Sequence, residues 1–370
     1  MHGDLALLAS NQYSKAKRLN PAVCGSGLFM EAIEQNPVYY ELAFEMPCHP
    51  DSIDLRAWLK QYATRRYGAF SPATQKAWML LLEGPYRQGT NGTEKSSIVA
   101  ARPALDVKKS GPNAGLEIPY DPALIIRAQS LLLEDADKLS ASRPYRFDLV
   151  DVQRQMMTNL GQLIHRKAAE AFRSKDREAF TLHSGRFLGM LADMDTLLRT
   201  RSEYSFDRWL TEARSWGETE EEKNQMERDA TSLVTIWGAD GDPRIFDYSW
   251  REWAGLINGY YLPRWQKFYT MLQQHLDEGT SYEEAGLPQI YGREAFRAND
   301  FYHTLAEWEL SYVDTYGKAR IPATEGDEVD IVKRLFKKYF KLSQEYYTDS
   351  IKLIKPSRDE RTYENLGEDL

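Results

Sequence analysis

Over most of this chain apolar residues return every third or fourth position, the period of a helix with one buried face. In residues 4–18, Leu5, Leu8 and Ala9 keep that spacing, and Lys15, Lys17 and Arg18 fall in the last turn, where positive charge suits the helix dipole. Asn36-Pro37 reads as a cap followed by a first helical position. Residues 54–68 read as a helix closed by Gly68, and Ser71-Pro72 opens another that runs to about Leu82. A very long helix begins near Tyr145, with Leu149, Val152, Met156, Leu160 and Leu163 spaced 3, 4, 4 and 3 apart. Such a narrow seam faces partner helices in antiparallel bundles. Thr219 and Glu222 have capping-box spacing for a helix to Ile236. A further helix is expected from about Ser249 to His275, and Val332, Leu335, Phe336, Tyr339 and Leu342 repeat the stripe near the end.

One segment breaks the period. Residues 22–30, AVCGSGLFM, are apolar, short and twice interrupted by glycine, so Val23 to Phe29 is expected to be a strand. Residues 1–46 then read helix, strand, helix, the one place that suggests a parallel-sheet unit. Two long interruptions also stand out. Residues 84–117 form an insertion whose centre, SSIVAARPAL, is too apolar for a solvated linker and should pack on something. Residues 237–248, WGADGDPRIFDY, break the helical pattern with Gly, Asp and Pro yet leave Trp237, Ile245, Phe246 and Tyr248 with apolar faces to bury. Function is expected at these two loops.

Composition narrows the chemistry. The 370 residues are 42% hydrophobic and 28% charged, which suits a folded chain with a large core. No apolar stretch approaches the ~20 residues of a membrane span. With 47 basic and 55 acidic residues the net charge is −8, and no local basic run offers a footprint for nucleic acid. Cys24 and Cys48 cannot build a disulfide framework or a four-thiolate zinc site, and the 6 histidines include no HExxH, so no metal or cofactor is expected. The 9 Trp and 22 Tyr are numerous; they suit sugar-binding clefts and helical cores alike.

Glu31 follows directly on the expected strand. At the C-terminal edge of a (β/α)₈ barrel a carboxylate can serve as nucleophile or acid/base on a glycosidic bond; the plainer alternative is a solvated loop residue like Glu34. Glu94 and Arg102 could contact a polar ligand or face water. Asp240 and Asp242 lack the spacing of a calcium loop, and Asn91-Gly92-Thr93 matches a glycosylation pattern too short to weigh heavily. His165 and His183 lie inside helical runs and read as structural.

The strings GSGLFMEAIEQNPVYYELAFEM, RRYG, IVAARPAL and TIWGADGDPRIFDYSWREWAGLINGYYLPRW, in that order, resemble successive motifs of glycoside hydrolase family 89, the alpha-N-acetylglucosaminidases. The resemblance implies a retaining exo-glycosidase that removes terminal α-linked N-acetylglucosamine, exported in bacteria or lysosomal in animals. It implies residues 1–48 as the last segment of a (β/α)₈ barrel and 49–370 as a large all-α C-terminal domain. It makes Glu31 the nucleophile and Glu94, Trp237, Ile245 and Tyr248 sugar-pocket residues, with Ile245 the least secure because the loop length varies. A barrel needs about 250 residues, so the acid/base glutamate and most of the barrel are expected to be missing partners of this chain, which is then inactive alone. The alternative is a non-catalytic helical module that binds carbohydrate or protein.

Overall fold

A computed structural model describes residues 1–29, 36–87, 96–111, 115–238, 246–284, 300–315, 317 and 326–347. Helix accounts for 67% of it. In chain order the α-helices are α1 (Leu5–Ala9), α2 (Gln12–Leu19), α3 (Pro37–Glu45), α4 (Leu55–Tyr67), α5 (Pro72–Glu83), α6 (Ala123–Glu134), α7 (Ala136–Leu139), α8 (Arg143–Arg173), α9 (Arg177–Leu198), α10 (Phe206–Arg214), α11 (Glu220–Leu233), α12 (Leu262–Glu278), α13 (Asp300–Val313) and α14 (Glu328–Tyr346). The expected all-α domain is present.

Local chemistry sets many of the boundaries. Asp54 accepts from the backbone N–H groups of Arg56 and Ala57, Ser71 accepts from Thr74 N–H, and the Thr219–Glu222 capping box is complete. Gly68 closes α4 with φ 75°, a conformation that an added Cβ would strain. Asn36 does not cap α3; Pro37 holds the first position as expected, but the Asn36 amide donates instead to the His2 carbonyl at 2.7 Å.

The 31-residue helix α8 is the axis of the fold, packed by α4, α6, α9 and α14, while α12 lies on α9. Its seam residues Leu149, Val152, Met156 and Leu160 are buried as the spacing requires; Ile164 rather than Leu163 takes the next core position. Burying four such side chains, at roughly 1.5–3 kcal/mol each, far exceeds the few tenths that helix propensity supplies. At Gly161 a Cβ would stand 2.6 Å from Met190 and 3.2 Å from Ile98, so glycine lets α9 and the first long loop close onto α8.

Three expectations need correction. The helix expected over 4–18 is two, separated by Asn11 at φ 57°, whose side chain donates to the Met46, His49 and Asp51 carbonyls. Val23–Phe29 is not a strand. Among the described residues there is no strand, only isolated bridges between Asp4 and Arg87 and between Ser205 and Ala254. A strand needs a neighbour for its backbone N–H and C=O groups, and residues 21–29 lie mostly in solvent, with Phe29 fully exposed. Finally, α12 starts at Leu262 after a π-turn over Ile257–Tyr261, not near Ser249, because Gly255 takes φ 88°.

Candidate functional site

The first long loop packs as its composition demands. Residues 96–105 are all buried, and the turn is knitted by Ser97 N–H donating to Ser110 Oγ at 3.1 Å and Ser96 N–H to the Gly115 carbonyl at 3.0 Å. Glu252, beyond the second loop, accepts from Ser97 Oγ at 2.5 Å, from Thr158 Oγ1 on α8 at 2.8 Å, and from the Arg154 guanidinium. Arg154 also donates twice to Asp151. The loop is therefore fastened to α8 by a buried polar network, whose groups would be costly to leave unpaired.

The second loop leaves α11 through Trp237 and returns at Phe246. Trp237 has φ 56° and Asp247 φ 57°, left-handed conformations uncommon for residues with a side chain. Trp237 N–H donates to the Ser232 carbonyl at 2.6 Å, and Asp247 N–H donates to the Thr235 carbonyl at 2.7 Å. These bonds bring the two ends of the loop together. The rings of Trp237 and Tyr248 meet there, 4.7 Å apart and tilted by 43°, both half-buried at the surface. Each ring keeps part of its apolar surface in reach of solvent.

Both loops converge on Arg264 at the start of α12. Its Nη1 donates to the Asp247 carboxylate at 2.9 Å and to Glu309 Oε1 of α13 at 3.0 Å; its Nη2 donates to the Ala100 carbonyl at 2.6 Å. Arg102 grips the other side of Glu309, Nε to Oε1 at 3.1 Å and Nη2 to Oε2 at 2.8 Å. Arg264, Asp247 and Glu309 are wholly inaccessible to solvent. Burial pushes the Asp247 carboxyl up to about 6, against the pull of Arg264. For Arg264 and Arg102 burial opposes the charge, yet the neighbouring carboxylates hold both guanidinium groups above their ordinary value.

A small cleft of about 80 Å³ lies between Ser96–Ser97, Tyr120, the Asp151–Gln162 face of α8 and Trp250–Trp253; neither Trp237 nor Tyr248 lines it. Asn36 also lines it. Asn36 is the first described residue after the segment that carries Glu31.

Trp237 and Tyr248, named from the sequence as pocket residues, are thus brought into contact. Glu31, Glu94 and Ile245 lie outside the described residues, as do Asn91, Asp240 and Asp242. Arg102 faces Glu309 rather than water. His165 is structural: its Nδ1 shares a hydrogen bond of 2.9 Å with Tyr269, and its ring lies 4.8 Å from Trp265. His183 likewise meets Tyr346. Arg264, Asp247, Glu309 and Glu252 are site residues that the linear sequence does not mark as such. A signal existed: Arg264 shares its helical face with Tyr260, Tyr261 and Phe268, and Glu309 with Leu305, Ala306 and Val313, so each charge occupies a core register.

Among the described residues, no helix is long and apolar enough to cross a membrane, and no group of three or more His, Cys, Asp or Glu is placed to hold a metal.

Comparison with known proteins agrees with this architecture. Residues 58–338 match the family model described as the alpha-N-acetylglucosaminidase (NAGLU) C-terminal domain. Human alpha-N-acetylglucosaminidase is 32% identical over 344 residues, covering 90% of this chain and 43% of the human protein. The family 89 glycoside hydrolase of Clostridium perfringens, solved with PUGNAc, superposes with a TM-score of 0.81 at 27% identity, over 92% of this chain and 37% of that one. The same bacterial enzyme with two substitutions, solved with its substrate GlcNAc-alpha-1,4-galactose, gives 0.81 at 26% identity, over 93% and 38%. The chain spans less than half the length of each of these relatives. Over the part it shares the fold coincides, and the chain belongs to the alpha-N-acetylglucosaminidase C-terminal domain family.

Proposed function

We propose that this chain supplies part of the sugar pocket, and the nucleophile, of a retaining exo-glycosidase acting on terminal α-linked N-acetylglucosamine. The observation that carries the reading is the Trp237–Tyr248 pair, half-open and held at 4.7 Å by the closed ends of the second loop. Its support is that a relative of the same helical fold was solved with a GlcNAc-terminated substrate. Glu94 and Ile245 complete the pocket in this reading. Glu31 attacks the anomeric carbon to form a glycosyl-enzyme, which water then hydrolyses. A second carboxyl about 5–5.5 Å away first protonates the leaving oxygen and then activates that water.

Residues 1–48 form the last segment of the catalytic barrel in this proposal, and the remaining barrel portion, with the acid/base carboxyl, is the partner. These 370 residues alone then lack general acid catalysis, typically a 10²–10⁴-fold contribution, and the chain has no useful turnover by itself.

The test is an assay of the purified chain with a chromogenic α-N-acetylglucosaminide, alone and mixed with the N-terminal portion of a close relative. Turnover only in the mixture, abolished by Glu31→Gln, is the expected result. Robust turnover by the chain alone would place the acid/base within it and overturn the division of labour. No turnover in either case would favour a non-catalytic binding module.

A further inference from the structure

We propose that Arg264 is the positioning residue of the Trp237–Tyr248 pair: one guanidinium pins both loops and thereby fixes the angle at which the two rings stand. What the pair binds rests on the reading above; how it is held does not.

Three acceptors on three separate elements meet this group: the Ala100 carbonyl of the first loop, the Asp247 carboxylate of the second, and Glu309 of α13. Asp247 is the hinge of the arrangement. Its side chain is held by Arg264, its backbone N–H by the Thr235 carbonyl two residues before Trp237, and Tyr248 follows it directly. Rotation at Asp247 therefore moves Tyr248 relative to Trp237. Both Trp237 and Asp247 are in left-handed conformations, which persist only where surrounding bonds over-determine them.

The first loop adds a floor. A Cβ on Gly111 would lie 2.9 Å from the Asp247 carbonyl oxygen, so its backbone packs directly under the Asp247–Tyr248 peptide. That loop is fastened to α8 through Ser97 and Glu252 and is tied a second time by the bond between Arg264 and the Ala100 carbonyl. One cation thus links the ring-bearing segment to the surface beneath it.

The chemistry requires arginine. The planar fork offers several donors in fixed directions, whereas a lysine ammonium is a point charge that cannot span the same acceptors. Arg102 cannot substitute, because it is already engaged by both oxygens of Glu309.

The test labels the full chain with fluorotryptophan and records fluorine NMR, the Trp237 line being assigned with Trp237→Phe. Wild type should show one sharp Trp237 line. Arg264→Lys, which keeps the charge but removes the fork, should broaden or split that line while leaving those of Trp58 and Trp78, in the α4–α5 core, in place. Asp247→Asn, which keeps the shape and removes the charge, should act in the same direction and more weakly. An unchanged Trp237 line in both variants overturns the proposal. So does the joint loss of the Trp58, Trp78 and Trp237 lines in both, which would make Arg264 a residue of the global fold. No sugar enters this readout. A Trp237 line that responds to Arg264, with no turnover in the mixing assay, would retain the positioning role and remove the sugar pocket.

Discussion

The α8 seam and the Arg264 cluster are both buried, and they are built on opposite rules. In the seam, Leu149, Val152, Met156 and Leu160 meet an apolar surround through contacts that are individually weak and without direction. A side chain of similar volume can replace another there with small loss. In the cluster, Arg102, Arg264, Asp247 and Glu309 face one another in a space that water does not reach. Each charge is tolerable only because the others are present. The first region supplies stability in graded amounts; the second gives two loops a single arrangement, and any one deletion is felt in full.

The sharpest way to break this contrast is to compare Arg264→Met with Leu160→Met by denaturant titration. Removing one partner of a buried ion pair strands the others and should cost about 3–5 kcal/mol. The volume-conserving change in the seam should cost less than about 1.5 kcal/mol. Equal losses in the two variants would show that the cluster tolerates an unpaired charge and end the distinction.

His165 tests whether a polar group inside the apolar bundle obeys the cluster's rule. Burial first, and then Arg173, lower its pKa from 6.5 to about 4, against the pull of the Ala104 and Leu105 backbone. The unfolded chain therefore takes the proton before the folded one does. The contribution is fully present above pH 6.5 and is lost as pH falls through about 4. At about 1.4 kcal/mol per unit it amounts to about 3.5 kcal/mol. Melting temperatures of wild type and His165→Gln between neutral pH and pH 4 should show a steeper fall for wild type. Taking the difference of the two curves removes His2, which burial also lowers to about 4, and Asp247, whose raised pKa acts in the opposite sense. Parallel curves would mean that the imidazole takes its proton as readily in the fold as in the unfolded chain.

The smallest expected effect lies outside both regions. Thr219→Ala removes the side-chain half of the α11 capping box at an exposed helix start and should cost about 1 kcal/mol, read from the same titration. A loss comparable to that of Arg264→Met would imply that α11 and the Trp237 turn that follows it unfold together.

The seam, the caps at Ser71 and Thr219, and the stop at Gly68 were legible in the sequence because each depends on neighbours within a turn or two. The demand that SSIVAARPAL be covered was also legible, since its apolarity states a need without naming what meets it. The strand at Val23–Phe29 failed for the converse reason: strand character in a segment is a request for a partner, and no described segment supplies one. The expected start of α12 near Ser249 was early because Trp250 and Trp253 mimic helical spacing while Glu252 is drawn instead to Ser97 and Thr158.

By itself, then, the sequence determined a helical bundle, its principal axis, the two loops that interrupt it and the family to which its motifs point. Periodicity and capping are local, and local chemistry survives in a linear string. Only the tertiary structure decided that those loops meet, that Trp237 and Tyr248 stand 4.7 Å apart, and that Arg264 reaches Ala100, Asp247 and Glu309 together. Ala100 is 164 residues from Arg264 along the chain and Glu309 is 45. A charge at a core register announces that it must be paired. Which partner pairs it is a property of distance in space, and the burial that enforces the pairing exists only once the helices have closed around it.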